Sequence, residues 1–246
     1  MTIHILGGKI PLVMNVLITS ASIPVVMDIA IELSSIHKLI LTDTKDVSSS
    51  IKFTRSALGH DSDTNDLVKG MDVIIHSGFV GNPDDESSQL DYHMRCTYNL
   101  LWAAWEEKVP RVVYLSSLTQ MDKYEENLAV TERWRPLPRT DTQSLCYHLG
   151  EYVCREFARE DKLKVVCLRL GDIVNNGVES ESPSSVYIDD VVTAIDKALS
   201  YDASGWDIFH VQSDVPNARY LTGQPWQGGD ELPVNLGYIP RPRTKA

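Results

Sequence analysis

Short apolar runs alternate with longer stretches of helical periodicity along most of the chain. Apolar runs that end at Gly, Pro, Asp or Ser are typical of buried strands. They predict strands at residues 16–19, 38–42, 73–76, 111–117, 165–169 and 206–211. Apolar residues at helical spacing predict helices over 24–33, a short stretch ending at 66–69, 92–108, 143–160 and 186–200. Strands that alternate with helices of this length predict a parallel sheet covered on both faces.

The stretch at residues 16–26 reads Val-Leu-Ile-Thr-Ser-Ala-Ser-Ile-Pro-Val-Val and predicts a strand, a tight turn and the start of a helix. In nucleotide-binding α/β proteins, the amides of such a turn and of the helix N-terminus hold the pyrophosphate. Pro24 is tolerated here because the first turn of a helix needs no donor from it. The function of the chain therefore depends on whether this turn holds a cofactor.

Polar residues follow the next two strands at the edge of the sheet where α/β proteins bind ligands. Asp43 ends the second strand, and Ser77 and Gly78 follow the third. An acid at the position of Asp43 accepts hydrogen bonds from an adenosine ribose and favours NAD over NADP. The alternative is a carboxylate in a solvated turn or a helix cap.

The ends of the chain carry weaker signals. Residues 1–14 predict a leader or an added edge strand, and Gly7-Gly8-Lys9 is a fragment of a phosphate loop without the full spacing. Residues 15–246 predict a single domain, and the part after residue 211 is rich in Pro, Gly and Gln, which predicts an irregular tail.

Composition excludes several classes of partner. The net charge of −11 argues against nucleic acid and anionic membrane surfaces. The sequence has neither an apolar run long enough to span a bilayer nor the pattern of a signal peptide, which predicts a cytoplasmic protein. The four cysteines form no C-x-x-C pair and predict reduced, packed thiols rather than a metal site.

Several blocks together resemble one family, the extended short-chain dehydrogenase/reductases of the NAD-dependent epimerase/dehydratase group. The blocks are residues 16–19, 70–76, 97–101, 111–117, Tyr147 with its helix, 168–171 and 187–191. The resemblance implies a Rossmann-type, doubly wound parallel sheet with a small C-terminal substrate-binding part at about residues 172–246. It also implies NAD(P)-dependent hydride transfer on a sugar, sugar acid or nucleotide sugar, and a homodimer formed through the helices at 92–108 and 143–160.

The chain departs from the family's glycine motif. The three glycine positions fall on Ser20, Ile23 and Val26. Ser20 is penalised if the turn needs a positive φ, and the branched Ile23 side chain stands where the pyrophosphate needs bare backbone. The resemblance assigns cofactor contacts to Thr19, Ser20 and Ile23, and to the Asp43, Ser77 and Gly78 positions already named. Binding of NAD is expected to be weak or absent.

The catalytic positions are also altered. The resemblance makes Tyr147 the acid/base, but Glu151 stands where the family has a lysine. Residues four apart share a helix face, so Glu151 is expected to raise the pKa of the phenol, which catalysis needs lowered. His148 and Arg155 are poorly placed to substitute for the lysine. By direct spacing, the serine or threonine that orients substrate falls on Leu118, and Ser117 takes that role if the turn shifts by one residue. The alternative is that Ser117 caps the end of the strand.

A basic segment precedes Tyr147 in the region that lines the family's substrate pocket. Arg133 and Arg135 suit bidentate capture of a carboxylate or phosphate, and Thr119 lies near the same predicted pocket. These residues therefore predict an anionic small-molecule substrate. The alternative is a solvated loop whose arginines pair with Glu132 and Asp141.

Two classes of function follow from these departures. The first is a divergent oxidoreductase or epimerase-like protein in which catalysis is weak or lost. The second is a non-catalytic domain that keeps the fold as a ligand sensor or protein-binding subunit. Losing three glycines and the lysine together favours the second class for mechanism, whereas the family resemblance favours the first class as the assignment by ancestry.

Overall fold

A computed structural model describes residues 3–5, 8–10, 13–79, 85–180, 182–220 and 236–240. In chain order the strands are β1 (Ile3–Ile5), β2 (Gly8–Ile10), β3 (Asn15–Ile18), β4 (Lys38–Asp43), β5 (Lys52–Arg55), β6 (Val73–Ser77), β7 (Arg111–Ser117), β8 (Lys164–Leu170), β9 (Asp172–Val174), β10 (Ser185–Tyr187) and β11 (Trp206–Val211). Seven of them form one parallel sheet in the order β11-β8-β7-β6-β3-β4-β5.

Helices cover both faces of this sheet. They are α1 (Pro24–Ser34), α2 (Ser62–Val68), α3 (Glu86–Asp91), α4 (Thr97–Glu106), α5 (Thr142–Arg159) and α6 (Ile188–Ser200). Helices α1 and α6 pack on one face, and α2, α4 and α5 pack on the other. A π-helical turn, Tyr92–Cys96, joins α3 to α4, and a 3-10 turn, Leu118–Met121, follows β7.

The two cores follow from the alternation of side chains along buried strands. In β3, Val16 and Ile18 pack against the α1/α6 layer, whereas Leu17 packs against the α2/α4/α5 layer. Successive side chains of a strand point to opposite faces, so a strand covered on both sides must be apolar throughout. The chain runs outward from β3 to β5 and returns to β6 on the other side of β3. This reversal makes the carboxyl ends of β3 and β6 a topological switch point, where such folds bind ligands.

The predicted doubly wound α/β fold is confirmed, with differences at particular elements. The sequence did not predict β5, β9 and β10. Val186 and Tyr187, predicted as the start of a helix, belong to β10, and the helix begins at Ile188. The predicted helix over 92–108 divides into the π-helical turn and α4, which ends at Glu106.

The connection between β7 and α5 has a small hydrophobic core of its own. Leu118, Met121 and Val130 pack with Tyr220 from the C-terminal part of the chain. Through this cluster, the connection packs against Tyr220.

The N-terminal stretch forms a separate pair of strands. β1 and β2 pair with each other as an antiparallel hairpin apart from the seven-stranded sheet. Gly7 of the phosphate-loop fragment lies outside the described residues, as do residues 221–235 and 241–246 of the predicted C-terminal part.

Candidate functional site

The turn after β3 lies at the switch point of the sheet and begins with a residue in the left-handed region. Ser20 has φ of 60°. Glycine adopts this conformation freely, whereas other residues pay about 1 kcal/mol or more for it. The Ser20 hydroxyl lies 3.2 Å from the Tyr92 hydroxyl. A serine therefore occupies a left-handed backbone conformation that favours glycine, at the first of the three altered glycine positions.

The amides of this turn donate hydrogen bonds within the protein. Ala21 N donates to Thr42 O (3.2 Å), Ser22 N to Asp43 Oδ2 (2.9 Å) and Ile23 N to Ser20 O (3.1 Å). Pro24, which starts α1, has no N–H to offer. Residues 21–24 therefore present no unengaged backbone N–H to a pyrophosphate.

A cavity of about 350 Å³ borders the turn. Ile23 lines it with a half-buried, branched side chain, where the glycine-containing motif leaves bare backbone. Asp85 and Asp91 line the same cavity, and Arg95 forms a bidentate pair with Asp91 at 2.7 and 2.6 Å. The side chain and the backbone amide of Ser88 donate hydrogen bonds to Asp85. These bonds lower the pKa of Asp85, so its carboxylate stays ionised. Asp43 is the third carboxylate of this lining, and Lys45 and Arg95 are its two cations, so the charge of the cavity does not favour a pyrophosphate.

Asp43 lies at the end of β4, where the sequence predicts a ribose contact. Its carboxylate is almost buried and accepts hydrogen bonds from Ser22 N at 2.9 Å and Lys45 N at 3.0 Å. The Thr44 hydroxyl also donates to Oδ1 at 3.3 Å, so Oδ2 is the oxygen that keeps a second lone pair for one ribose hydroxyl. Asp43 is the predicted cofactor residue whose geometry best suits its assigned role.

Three other predicted cofactor residues lie behind the cavity and do not line it. Thr19 and Ser77 are fully buried, and Thr19 Oγ1 accepts from Ser77 N at 3.0 Å and contacts His76 Nδ1 at 2.8 Å. A Cβ on Gly78 would lie 2.5 Å from the Tyr114 hydroxyl. Close packing therefore explains the glycine, and hydrogen bonding between β3 and β6 explains Thr19 and Ser77. Burial, followed by His93, lowers the pKa of His76 to about 3 and keeps it neutral.

A second cavity, of about 400 Å³, brings the predicted catalytic residues together. Tyr147, Ser117 and Thr119 all line it, with Asp172 at its rim. Ser117 Oγ accepts from the amide and the hydroxyl of Thr119 at 3.1 and 3.0 Å. Burial, followed by the neighbouring Cys146 and Asp172, raises the pKa of Tyr147 to about 12. The phenol is therefore a poor base at neutral pH.

Glu151, at the family's lysine position, forms a buried ion pair. Arg169 Nε and Nη2 donate to its two carboxylate oxygens at 2.9 and 2.8 Å. Ser116 Oγ and Gln120 Nε2 each donate to it at 2.6 Å. Burial alone would raise the pKa of Glu151, but the Arg169 charge and these hydrogen bonds lower it. Burial, rather than Glu151, is thus the main cause of the raised Tyr147 pKa, and that part of the prediction was wrong.

None of the described residues that line the Tyr147 cavity is cationic. His148 Nδ1 faces Gln120 Oε1 at 3.2 Å, and Arg155 is exposed beside Tyr152. Both line a different cavity, so neither replaces the missing lysine beside the phenol.

Arg133 and Arg135 do not join Tyr147. They line a third cavity, of about 240 Å³, with His148, Arg155 and Arg169, and this cavity shares no lining residue with the Tyr147 cavity. The prediction that they line the pocket of the acid/base was wrong. Residues 132–136 line a cavity with His148 and Arg155 of α5, and Tyr147 does not line that cavity.

Sequence reasoning missed Arg169 and Gln120. A signal for Arg169 exists, since an arginine in an otherwise apolar predicted strand must have a buried partner. Gln120 had no such signal.

Within the described residues, no group of His, Cys, Asp and Glu side chains is arranged to hold a metal ion. No helix in the same part of the chain combines the length and apolar character needed to cross a bilayer.

Comparisons with known proteins agree with this fold. The sequence profile of the NAD dependent epimerase/dehydratase family matches residues 20–186. The chain therefore belongs to that family, and the resemblance drawn from its sequence blocks is confirmed. No curated protein sequence matches the chain significantly.

Several solved structures of similar fold are named as enzymes of sugar-derived compounds. Glucuronic acid dehydrogenase from Chromohalobacter salexigens is 20% identical with a TM-score of 0.76, over 93% of this chain and 84% of that one. A mutant uronate dehydrogenase from Agrobacterium tumefaciens, complexed with NAD, is 19% identical with a TM-score of 0.76, over 94% and 85%. UDP-N-acetylglucosamine 4-epimerase from Bacillus cereus is 16% identical with a TM-score of 0.67, over 82% and 78%. At these identities the likeness concerns the fold.

Proposed function

We propose that this chain is a ligand-binding member of the NAD dependent epimerase/dehydratase family that has lost hydride transfer. The observation that carries the proposal is the turn at residues 20–24. The amides of Ala21, Ser22 and Ile23 are engaged internally, Pro24 offers no donor, and Ile23 stands where the family keeps a glycine. The residues present therefore do not fit the pyrophosphate of a dinucleotide.

The environment of Tyr147 supports the same proposal. With a pKa of about 12, only about one phenol in 10⁵ is ionised at pH 7. The family lowers this pKa with a lysine, whereas the described residues around the Tyr147 cavity supply Asp28 and Asp172 instead. A carboxylate disfavours the phenolate, so the cavity lacks the electrostatics for abstracting a proton.

The cavity itself suits a small polyhydroxylated ligand. Ser117, Thr119 and Tyr147 present hydroxyl groups, and Asp172 accepts hydrogen bonds from Ser182 and Ser184 at 2.7 and 2.8 Å. Hydroxyls and a carboxylate recognise sugar hydroxyls by exchanging donors and acceptors. Solved structures of similar fold are named for uronic acids and UDP-sugars, but the described lining of this cavity carries two carboxylates and no cation. We therefore propose an uncharged sugar as the ligand of this chain.

Calorimetric titration with NAD, NADH, NADP and NADPH tests the loss of the cofactor. We expect no binding tighter than about 100 μM, roughly −5.5 kcal/mol. We expect an uncharged sugar such as glucose to raise the melting temperature of the wild type, and Asp172→Asn to reduce that rise because it removes an acceptor. Asp196→Asn, which changes charge equally on α6 outside this cavity, is the matched control.

The competing function is a slow oxidoreductase. It is favoured by the placement of Tyr147 and Ser117 in one cavity and by the geometry of Asp43. Formation of NADH from NAD and a uronic acid, abolished by Tyr147→Phe, would establish this function and overturn the loss of hydride transfer.

We also propose a homodimer through α4 and α5, as the resemblance implies. Met94, Tyr98, Trp105 and Tyr152 are each 40–47% exposed on this face, an unusual concentration of large apolar side chains. Sedimentation velocity should give a dimer for the wild type and a monomer for Tyr98→Glu. Ile31→Glu, an exposed apolar position on α1 on the opposite face, should leave the dimer intact. A monomeric wild type at micromolar concentration would contradict the dimer.

A further inference from the structure

The cavity that holds Arg133 and Arg135 lies between residues 132–136, helix α5 and the outer strands β8 and β11. Its volume is about 240 Å³, enough for a small organic molecule. Because it shares no lining residue with either the Tyr147 cavity or the cavity beside the β3 turn, its ligand need not be the ligand of those sites.

The charge balance of this cavity is opposite to that of the chain. The net charge of the protein is −11, yet four arginines line the cavity against two glutamates. One of these glutamates, Glu151, is bound on both oxygens by Arg169. The cavity therefore carries an excess of positive charge, which attracts an anion.

Two of the arginines are placed to receive that anion. Arg135 is exposed and forms no ion pair with any side chain in the described part of the chain. Arg155, on α5, contacts Glu156 by a single nitrogen at 3.4 Å and stacks 5.5 Å from the Tyr152 ring centre. A planar guanidinium presents paired donors to a carboxylate or phosphate, so both side chains retain donors for a ligand.

His148 adds an imidazole to the cavity, and a bound anion would favour its protonated form. Its Nδ1 lies 3.2 Å from Gln120 Oε1, an acceptor, so Nδ1 carries the proton and Nε2 carries the titratable lone pair. The charged groups facing this imidazole are Glu151 and Arg155 on α5, Arg169 on β8 and Arg135 on the 132–136 segment. Burial lowers the pKa of His148, Glu151 raises it, and the three arginines lower it further.

The remaining walls are aromatic. Trp134, Tyr152 and Trp206 line the cavity, two of them half-buried and Tyr152 exposed. Aromatic faces pack against a planar or apolar body, whereas the arginines select the charge on it. We propose that this cavity is a second ligand site, which binds a small organic anion with a carboxylate or phosphate group held by Arg135 and Arg155.

Titration calorimetry with benzoate and phenyl phosphate at low salt tests this proposal without any dinucleotide present. We expect at least one probe to bind, and Arg135→Gln to weaken it about tenfold, a loss of about 1.4 kcal/mol. The probe that binds tighter identifies the preferred oxyanion. Arg139→Gln, which removes an equal charge from the same loop outside the cavity, should leave binding unchanged.

The pH dependence of this binding tests His148. This test uses benzoate, whose carboxylate stays ionised from about pH 6 to about pH 8. A bound anion favours the imidazolium, so the affinity for benzoate should be higher at about pH 6 than at about pH 8. His148→Gln should abolish that difference while Arg139→Gln retains it. Failure of both probes to bind at millimolar concentration, or equal weakening by Arg135→Gln and Arg139→Gln, would overturn the proposal. Since no dinucleotide is used, a redox activity at the Tyr147 cavity would leave these results standing.

Discussion

Replacing Glu151 by alanine is expected to lower the free energy of unfolding by about 3–5 kcal/mol, because it leaves the buried Arg169 charge unpaired. Arg169 is 1% exposed and Glu151 is 5% exposed, so the remaining charge is largely shielded from solvent. Denaturation by urea measures the loss. Glu151→Lys, which would restore the family's lysine, should be at least as damaging because it places a second cation against Arg169.

Two further variants separate the ion pair from general packing. Glu156→Ala removes a carboxylate from the same helix, but its partners are exposed arginines, and it should cost less than about 1 kcal/mol. The double variant Glu151→Leu with Arg169→Met should recover much of the stability, since it removes both buried charges. A loss under about 1 kcal/mol for Glu151→Ala would contradict the reading of this pair as buried and mutually dependent.

Replacing Gly171 by alanine is expected to cost about 3 kcal/mol and to weaken binding at the Tyr147 cavity. A Cβ at Gly171 would collide with the backbone oxygen of Ser184, which cannot rotate away as a side chain could. Asp172 N donates to that same oxygen at 3.0 Å, and β9 pairs with β10 from Asp172 onward. The added methyl therefore separates the two strands and displaces Asp172 at the rim of the cavity.

The control for Gly171 is another glycine in an open place. A Cβ on Gly205 would come no closer than 3.9 Å to Ala158 O, an ordinary contact, so Gly205→Ala should change stability little. Thermal unfolding and titration with glucose measure the two effects of Gly171→Ala. Unchanged values for both would show that β9 and β10 tolerate separation.

The sheet could be predicted because its strands are apolar on both faces. β5 escaped prediction for the opposite reason, since its four residues are exposed or half-buried at the edge and carry little apolar signal. β9 and β10 are each three residues long, too short for a periodic pattern to identify.

Site residues could be predicted only where the order of strands and helices along the chain brings them to the same edge of the sheet. Ser117 ends a central strand and Tyr147 lies on the helix that follows, so both reach the same edge of the sheet. Arg135 was misplaced because distance along the chain does not say on which side of α5 a loop passes. The partner of Glu151 is Arg169, 18 residues away on a strand, and only the packing of α5 on β8 brings them together.

The hydrogen bonds inside the β3 turn have a consequence for how the protein persists in a cell. A protein that binds a ligand only when folded gains stability as that ligand accumulates. Here the amides of Ala21, Ser22 and Ile23 already have their partners. We therefore expect the folded fraction and the lifetime of this chain to be independent of the cellular supply of nicotinamide nucleotides and of the redox state it reports.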